Sequence, residues 1–176
     1  MCVLALLVVA LAPAAARAVA LPAGFQESVV WSGLTYPTNI EFAPDGRVFV
    51  AEKSGVIKVF DSPTDPTPTV FADLSANVHD FWDRGMLGMA VDPRPAPATP
   101  YVYVLYTYDA PIGGTPPTFG DGCPNPPGAT ADGCVVTGRL SRISDTGVET
   151  VLIEDFSQQY PIHSTGSIEF GPDGQL

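Results

Sequence analysis

The sequence predicts an all-β protein of the β-propeller class from three observations: a repeated motif, its spacing, and short strands without helical periodicity. Residues 40–46 and 168–174 both read Ile-Glu-Phe-x-Pro-Asp-Gly. Each copy predicts a short strand that runs into a tight turn, because proline presets φ and glycine can take the positive φ that closes the turn. An immunoglobulin-like sandwich would explain short strands, but not this turn motif at blade-like spacing.

The spacing of the motif indicates repeated blades. A looser copy, LGMAVDP, lies at residues 87–93 between the other two. Ile40 precedes Met89 by 49 residues, and Met89 precedes Ile168 by 79. The first spacing is close to the ~50-residue period of some propellers. The second is longer by 30 residues, about the length of a Gly/Pro/Asp-rich loop over residues 109–138. We therefore predict four-stranded blades with one insertion.

The individual strands are predicted from β-branched and aromatic residues that lie between turn residues. In chain order the expected strands are 39–42, 47–51, 55–60, 70–74, 87–93, 101–108, 139–143, 149–153 and 167–170. Residues 21–176 are 156 in number, about the length of three blades, and the last copy of the motif ends at Leu176 just after its turn. We therefore expect the first part of a longer propeller, truncated at its C-terminus.

Composition and charge exclude several classes of protein. With 45% hydrophobic and 15% charged residues, the chain is too apolar to be disordered and too poorly charged to be a coiled coil. Nineteen acidic residues against eight basic ones give a formal charge of −11. Such a surface repels both a phosphate backbone and an anionic membrane, so nucleic acid and membrane surfaces are not expected partners.

Residues 1–20 predict a secretory signal peptide. The stretch 3–16 is almost wholly apolar, but it is shorter than the roughly 20 residues that span a bilayer. Ala18-Val19-Ala20 offers a signal-peptidase site before Leu21, and cleavage after Ala18 is a second option. No basic residue precedes the apolar run, so an uncleaved N-terminal anchor helix is the alternative. We predict a secreted or periplasmic protein with no membrane span after cleavage.

The cysteines agree with export. Cys123 and Cys134 lie in the Gly/Pro/Asp-rich loop with ten residues between them. This pattern predicts a disulfide in an oxidising compartment. A zinc site would need further soft ligands, and the loop contains no histidine and no other cysteine.

Two histidines are the candidates for acid–base chemistry. His163 lies in a Pro/Gly-containing loop before the last copy of the motif, where a strand near the propeller axis is expected. An imidazole there can accept a proton from a hydroxyl, and the alternative is a hydrogen-bonded loop histidine. His79 lies beside Asp80 and Asp83, so a loop salt bridge is its expected role.

Asp83 and Arg84 form the other dense cluster, just before a glycine-flanked strand. They either face a substrate or cofactor at the mouth of the propeller, or pair with each other and pin a loop. Acidic loops at 61–65 and 121–132 lack the spacing of an EF-hand calcium loop, so the residues alone predict no metal site.

Three segments carry a resemblance to a known family. They are PTNIEFAPDGRVFVAEKSGVIKVF at 37–60, DRGMLGMAVDP at 83–93 followed by YVYVLYTY at 101–108, and HSTGSIEFGPDGQL at 163–176. Together they closely resemble the glucose/sorbosone dehydrogenase family over about residues 24–176. Members are secreted or periplasmic six-bladed propellers, many of them dependent on pyrroloquinoline quinone (PQQ) with calcium.

The resemblance implies roles for particular residues. His163 matches the His-x-x-Gly position, whose imidazole takes the proton of the sugar C1 hydroxyl while hydride passes to the quinone. Asp83 stands where the glucose dehydrogenases place a substrate-contacting Gln, with Arg84 beside it. The residue before the catalytic histidine, an Asp in those enzymes, is Ile162 here.

The resemblance also implies what this stretch lacks. The basic PQQ ligands and the calcium loop of the family come from later blades, so the stretch by itself is expected to be inactive. The implied partners are a sugar and an electron acceptor. The alternative function is a non-catalytic extracellular propeller that binds a ligand through its disulfide loop.

Overall fold

In the computed structural model, residues 21–94, 100–124 and 134–176 are described, so the signal peptide predicted for 1–20 lies outside them. The first sheet consists of β1 (Pro37–Phe42), β2 (Val48–Glu52), β3 (Val56–Phe60) and β4 (Thr69–Asp73). The second consists of β5 (Met86–Val91), β6 (Val102–Tyr108), β7 (Val136–Ile143) and β8 (Glu149–Gln158). Both are antiparallel with their strands in chain order, as in propeller blades. These residues contain no helix, and so none that could cross a bilayer. The all-β prediction is confirmed.

The repeated motif forms the same turn at both positions. In the first copy, Gly46 has a φ of 93° and its N–H donates to the carbonyl of Ala43 at 3.0 Å. In the second copy, Gly174 has a φ of 76° and its N–H donates to the carbonyl of Gly171 at 2.9 Å. The first turn joins β1 to β2, whereas residues 167–170 form no strand.

The described residues therefore contain two complete blades, where the length suggested about three. The segment 21–36 precedes β1 without forming a strand, and the loop between β6 and β7 is long. The strand predicted over 167–170 is not formed because a strand needs a hydrogen-bonded partner.

The main core lies between the two blades. Phe49 and Ala51 on one face of β2 belong to the same buried cluster as Met86 and Met89 of β5. The Thr38 hydroxyl in β1 also donates to the Met86 carbonyl at 2.7 Å. Burial of these apolar side chains holds the blades face to face.

The loop after β6 is anchored at both ends. Cys123 and Cys134 form the predicted disulfide, with their Cα atoms 5.4 Å apart. The Asp109 carboxylate accepts the backbone N–H groups of Phe119, at 3.1 Å, and Gly120, at 2.8 Å. The insertion is thus held on the end of the second blade.

Candidate functional site

The loops that carry the predicted site residues lie at one end of the blades. Neighbouring strands run in opposite directions, so alternate connections share an end. Those at this end are the β2–β3 turn (53–55), the β4–β5 loop (74–85), the β6–β7 loop (109–135) and the segment after β8 (159–166). We call this the site end. An isolated bridge between Val78 and Tyr108 ties the β4–β5 loop to the end of β6.

Asp83 and His163 meet at the site end, although 80 residues separate them in the chain. The His163 N–H donates to Asp83 Oδ2 at 3.3 Å. The Asp83 N–H donates to the carbonyl of Pro161 at 3.2 Å. Both residues are exposed. Two loops thus bring a carboxylate and a histidine to one opening.

His163 holds an unusual backbone conformation, with a φ of 54°. Residues with a Cβ rarely adopt this left-handed region, and those that do persist where the surrounding structure holds them, often at functional sites. The two hydrogen bonds to the loop of Asp83 supply part of that constraint. The conformation therefore favours a functional role for His163.

Two glycines of the second blade make room for the segment that carries His163. A Cβ on Gly88 would lie 2.5 Å from the carbonyl oxygen of Gly166. A Cβ on Gly138 would collide with the Phe156 ring and lie 2.9 Å from Thr165 Cγ2. Close backbone approach of this kind is a usual reason for glycine inside a strand. The segment consequently lies directly against β5 and β7.

A cavity of about 450 Å³ opens beside His163. Its lining residues are Ser157, Gln158, Gln159, Tyr160, Ile162, His163 and Ser164. Gln158 Nε2 and Ser164 Oγ are buried and have no hydrogen-bond partner among the described residues. Unpartnered buried polar atoms are uncommon, and ligand binding is one explanation for them. The volume lies within the range of small-molecule pockets.

Arg84 lies apart from this opening. The sequence predicts a residue that faces substrate or cofactor, but its side chain is fully buried, with 0% exposed. Its Nη1 donates to Cys134 Sγ at 2.9 Å, and its Nη2 donates to the carbonyl of Gln158 at 2.9 Å. Burial lowers the pKa of Arg84 to about 10. The guanidinium therefore connects the disulfide to the cavity wall, and it does not pair with Asp83.

His79 is also buried, which corrects the expectation of a loop salt bridge. Its Nε2 lies 2.9 Å from the carbonyl of Gly122, and its Nδ1 lies 3.3 Å from Arg84 Nη1. A neutral imidazole with its proton on Nε2 satisfies both contacts. Desolvation lowers the pKa of His79, and the Arg84 charge lowers it further. A protonated His79 could no longer accept a hydrogen bond from Arg84 at Nδ1. Because the ring is also fully buried, it does not form the expected ion pair at the surface.

We expect acidification to destabilise the fold through His79. Its pKa in the folded state lies below the reference value of 6.5. The unfolded chain therefore binds more protons as the pH falls through about 6.5, and the free energy of unfolding decreases, by at most about 1.4 kcal/mol per pH unit for one proton. The measurement is urea unfolding at several values between about pH 7.5 and 5.5. Carboxylates with a lowered pKa, such as Asp92, begin to contribute only below about pH 5.

The control for this expectation is His79→Gln, whose amide can still donate a hydrogen bond but does not titrate. This variant should lose the dependence on pH over the same range. A variant that keeps the full dependence would contradict the assignment to His79.

The two cations of the site-end connections are paired or buried. Lys53 forms an ion pair with Asp80, Arg84 is buried, and these connections contain no other Lys or Arg. Among the described residues, no group of His, Cys, Asp and Glu is arranged to hold a metal ion. Among the described residues, the site end thus offers a carboxylate and an imidazole. Its two cations are a lysine paired with Asp80 and a fully buried arginine, so neither is exposed to an anionic cofactor.

Two residues at the site end were not predicted from the sequence. Gln158 lies beyond the predicted strand 149–153, because β8 continues through a register shift to Gln158. Trp82 precedes Asp83 and is half exposed. For Trp82 the only sequence signal was a tryptophan in a segment between two predicted strands. No local sequence pattern marked Gln158.

Comparisons with known proteins agree with this architecture. The profile of the Glucose / Sorbosone dehydrogenase family matches residues 34–176. An oxidoreductase from Thermus thermophilus, described as a glucose dehydrogenase, is similar with a TM-score of 0.59 and 29% identity, over 82% of this chain and 36% of its own. The PQQ-bound form of aldose sugar dehydrogenase from Streptomyces coelicolor is similar with a TM-score of 0.59 and 20% identity, over 84% of this chain and 38% of its own. No curated protein matches the chain.

The extent of these matches defines what they establish. The chain spans little more than a third of the length of either solved structure. The likeness to the PQQ-bound enzyme confirms the propeller class predicted from the repeated motif. The family profile extends from the end of the segment before β1 to Leu176, which is most of the chain. The chain therefore belongs to the glucose/sorbosone dehydrogenase family.

Proposed function

We propose that the whole protein is a secreted aldose dehydrogenase that oxidises the C1 hydroxyl of a sugar, with His163 as general base and PQQ as the hydride acceptor. One observation carries the proposal: an exposed histidine in a constrained backbone conformation is tied to Asp83 beside a 450 Å³ cavity. Membership of the family supports dehydrogenation as the reaction class. The solved PQQ-bound relative supports the cofactor.

His163 is suited to accept a proton from a sugar hydroxyl. An imidazole nitrogen can do this at physiological pH when it lies within hydrogen-bond reach of the hydroxyl. The hydrogen bond to Asp83 uses the backbone N–H of His163 and not its ring. The backbone is thus held in place without occupying the imidazole.

Asp83 would help to orient the sugar. Its carboxylate accepts the His163 N–H through Oδ2, and a carboxylate has capacity for further hydrogen bonds. A sugar hydroxyl that donates to this carboxylate would lie close to the loop of His163. Because an acidic residue stands where the glucose dehydrogenases carry Gln, the preferred sugar is expected to differ in the hydroxyl that this residue contacts.

Arg84 would act as a positioning residue for the same site. It holds the carbonyl of Gln158, and Gln158 lines the cavity. Its other bond, to Cys134, makes the disulfide part of this support. We therefore assign Arg84 to the framework behind the site and Asp83 to the contact with substrate.

The described residues do not by themselves fit PQQ or calcium. PQQ carries carboxylates, which proteins bind with unpaired Lys and Arg side chains. Lys53 is paired with Asp80, and the Arg84 guanidinium is fully buried against Cys134 and the Gln158 carbonyl. The described residues also contain no metal site. We propose that the PQQ and calcium ligands lie in the part of the propeller that this chain does not span. When bound, the quinone supplies the two-electron acceptor.

Export is proposed from residues 1–20 and the disulfide. A disulfide between Cys123 and Cys134 persists in an oxidising compartment and is rare in the cytosol. The predicted signal peptide and the disulfide both favour a secreted or periplasmic protein.

One experiment tests activity and export together. The full-length protein is expressed with its own leader, collected from the periplasm or the medium, and assayed for dye reduction with PQQ, calcium and a panel of aldoses. We expect sugar-dependent reduction only when PQQ and calcium are both present. N-terminal sequencing should begin at Leu21, or at Val19 for the second cleavage site.

The alternative is a non-catalytic propeller that binds a ligand, for which the long disulfide loop is the supporting feature. It predicts no turnover with any aldose and no change in thermal stability when PQQ is added. That outcome would replace the dehydrogenase proposal.

A further inference from the structure

We propose that Trp82 is a sugar-binding platform, on which the apolar face of the substrate ring packs while His163 takes the proton of its C1 hydroxyl. This inference rests on the proposed function, because it places a sugar beside His163. It adds a binding residue that neither the family match nor the likeness to solved structures assigns. Four observations lead to it: exposure, position, backbone conformation and ring packing.

Trp82 is exposed near the end of a loop whose last residues, from Arg84 onward, are buried. Its relative exposure is 48%, whereas Arg84 and Met86 are at 0%. An exposed tryptophan beside a candidate site is a candidate binding anchor, because tryptophan is enriched among the residues that contribute most to binding.

Trp82 immediately precedes the residue that is hydrogen-bonded to the loop of the candidate base. Asp83, the next residue, accepts the His163 N–H and donates to the carbonyl of Pro161. The backbone of Trp82 is therefore linked to the loop of His163 through its immediate neighbour. A ligand that reaches the ring of His163 approaches this loop.

The backbone of Trp82 is held in the left-handed region, with a φ of 52°. This conformation is a genuine outlier for a bulky side chain. His163 has the same feature, with a φ of 54°, and the Asp83 hydrogen bonds join the two loops. Strained residues cluster where a particular side-chain placement is needed. A tryptophan kept at such a position is better explained by a role for its ring than by chain geometry.

The indole is supported from behind by a row of rings. Phe81 stacks on Trp82 with centroids 6.1 Å apart and planes at 23°. His79 stacks on Phe81 with centroids 5.8 Å apart and planes at 27°. The row starts at the buried His79 and ends at the exposed Trp82. A ring fixed in this way loses little conformational entropy when it binds.

The chemistry of the loop matches that of an aldose. A sugar ring has faces of C–H groups, which pack on aromatic rings, and an edge of hydroxyls, which donate to carboxylates. Trp82 supplies the ring, and Asp83 supplies the carboxylate. A neutral sugar is favoured over an anionic one, because Lys53 is paired with Asp80 and Arg84 is fully buried.

The test measures binding separately from turnover. In the full-length protein, Trp82→Asn removes the ring but keeps a residue type that tolerates the left-handed region, and Trp82→Tyr restores an aromatic ring. The readouts are KM and kcat for the best aldose, and the Kd of the corresponding 1,5-anhydroalditol. This probe lacks the C1 hydroxyl and cannot be oxidised there, so its Kd is independent of turnover.

We expect Trp82→Asn to raise both KM and Kd about tenfold, with a much smaller change in kcat, and Trp82→Tyr to recover most of the loss. Trp31→Phe is the matched control and should change neither constant. Trp31 stacks on Phe60 at 4.4 Å, and its indole donates to the carbonyl of Asp65, away from the site end.

Three results would overturn the platform: an unchanged Kd in Trp82→Asn, an equal change in Trp31→Phe, or a fall in thermal stability in Trp82→Asn with affinity not recovered by Trp82→Tyr. The last would mean that the indole packs against protein. Anhydroalditol binding that depends on Trp82, without turnover of any aldose, would reject the dehydrogenase proposal and support the platform. Turnover of an aldose with unchanged KM in Trp82→Asn would support the dehydrogenase proposal and reject the platform.

Discussion

Replacing His163 with alanine is expected to lower kcat of the full-length protein by roughly 10²- to 10⁴-fold, the contribution of a general base. Without the imidazole, the described residues that line the cavity include no other imidazole and no carboxylate that could accept the proton. The measurement is steady-state dye reduction with the best aldose. A titration with PQQ should give an unchanged affinity, since the proposed quinone ligands lie elsewhere.

The matched control is His163→Asn, which separates chemistry from backbone conformation. Asparagine tolerates the left-handed φ of 54° at this position, but its amide does not take up a proton at neutral pH. We expect the two variants to lose activity equally and the asparagine variant to keep its thermal stability. A kcat within a few-fold of the original protein in either variant would reject His163 as the base.

Replacing Gly88 with alanine is expected to have the second largest effect, because it acts on stability and on the site together. The new methyl group would lie 2.5 Å from the carbonyl oxygen of Gly166 and 3.0 Å from Leu105 Cβ. The Gly166 backbone lies on one side of this methyl group and β6 lies on the other, so neither can easily move away from it. Overpacking of this kind costs about 1–3 kcal/mol. Since Gly166 follows His163 by three residues, the displacement should also lower kcat about tenfold or more.

Gly166→Ala is the matched control for the unfolding measurement. A Cβ at Gly166 meets no atom within 4 Å. This variant therefore adds a methyl group to the other residue of the contact without creating a clash. We expect urea unfolding to show a clear loss in Gly88→Ala and almost none in Gly166→Ala. Equal stability of the two variants would show that the segment of His163 is not seated on Gly88.

The strands were predictable because their signals are local. Both Pro-Asp-Gly turns form as expected, since proline and glycine act on their own φ angles. The predicted strand 55–60 is observed as β3, and 101–108 as β6. By contrast, 167–170 has the correct residues but no strand, because pairing depends on a neighbouring chain segment and not on composition.

The candidate site was predictable in its residue types and not in its arrangement. His163 and Asp83 were identified separately, and their hydrogen bond joins loops that are far apart in sequence. Asp83 and Arg84 were expected to share a role, yet one is exposed and the other is buried against Cys134 and Gln158. Neighbours in a loop separate in this way because the packed blades decide which side chain faces the interior.

The sequence by itself determined the all-β class, the repeated turn, the disulfide partners and the family resemblance, since each depends on residue type at short range or on a matching motif. Only the tertiary structure decided how many blades are complete among the described residues, that Arg84 and His79 are buried, and that Trp82 is exposed beside Asp83. The physical reason is that burial and strand pairing join residues from distant parts of the chain. Whether a polar side chain faces solvent or the core is settled by those contacts.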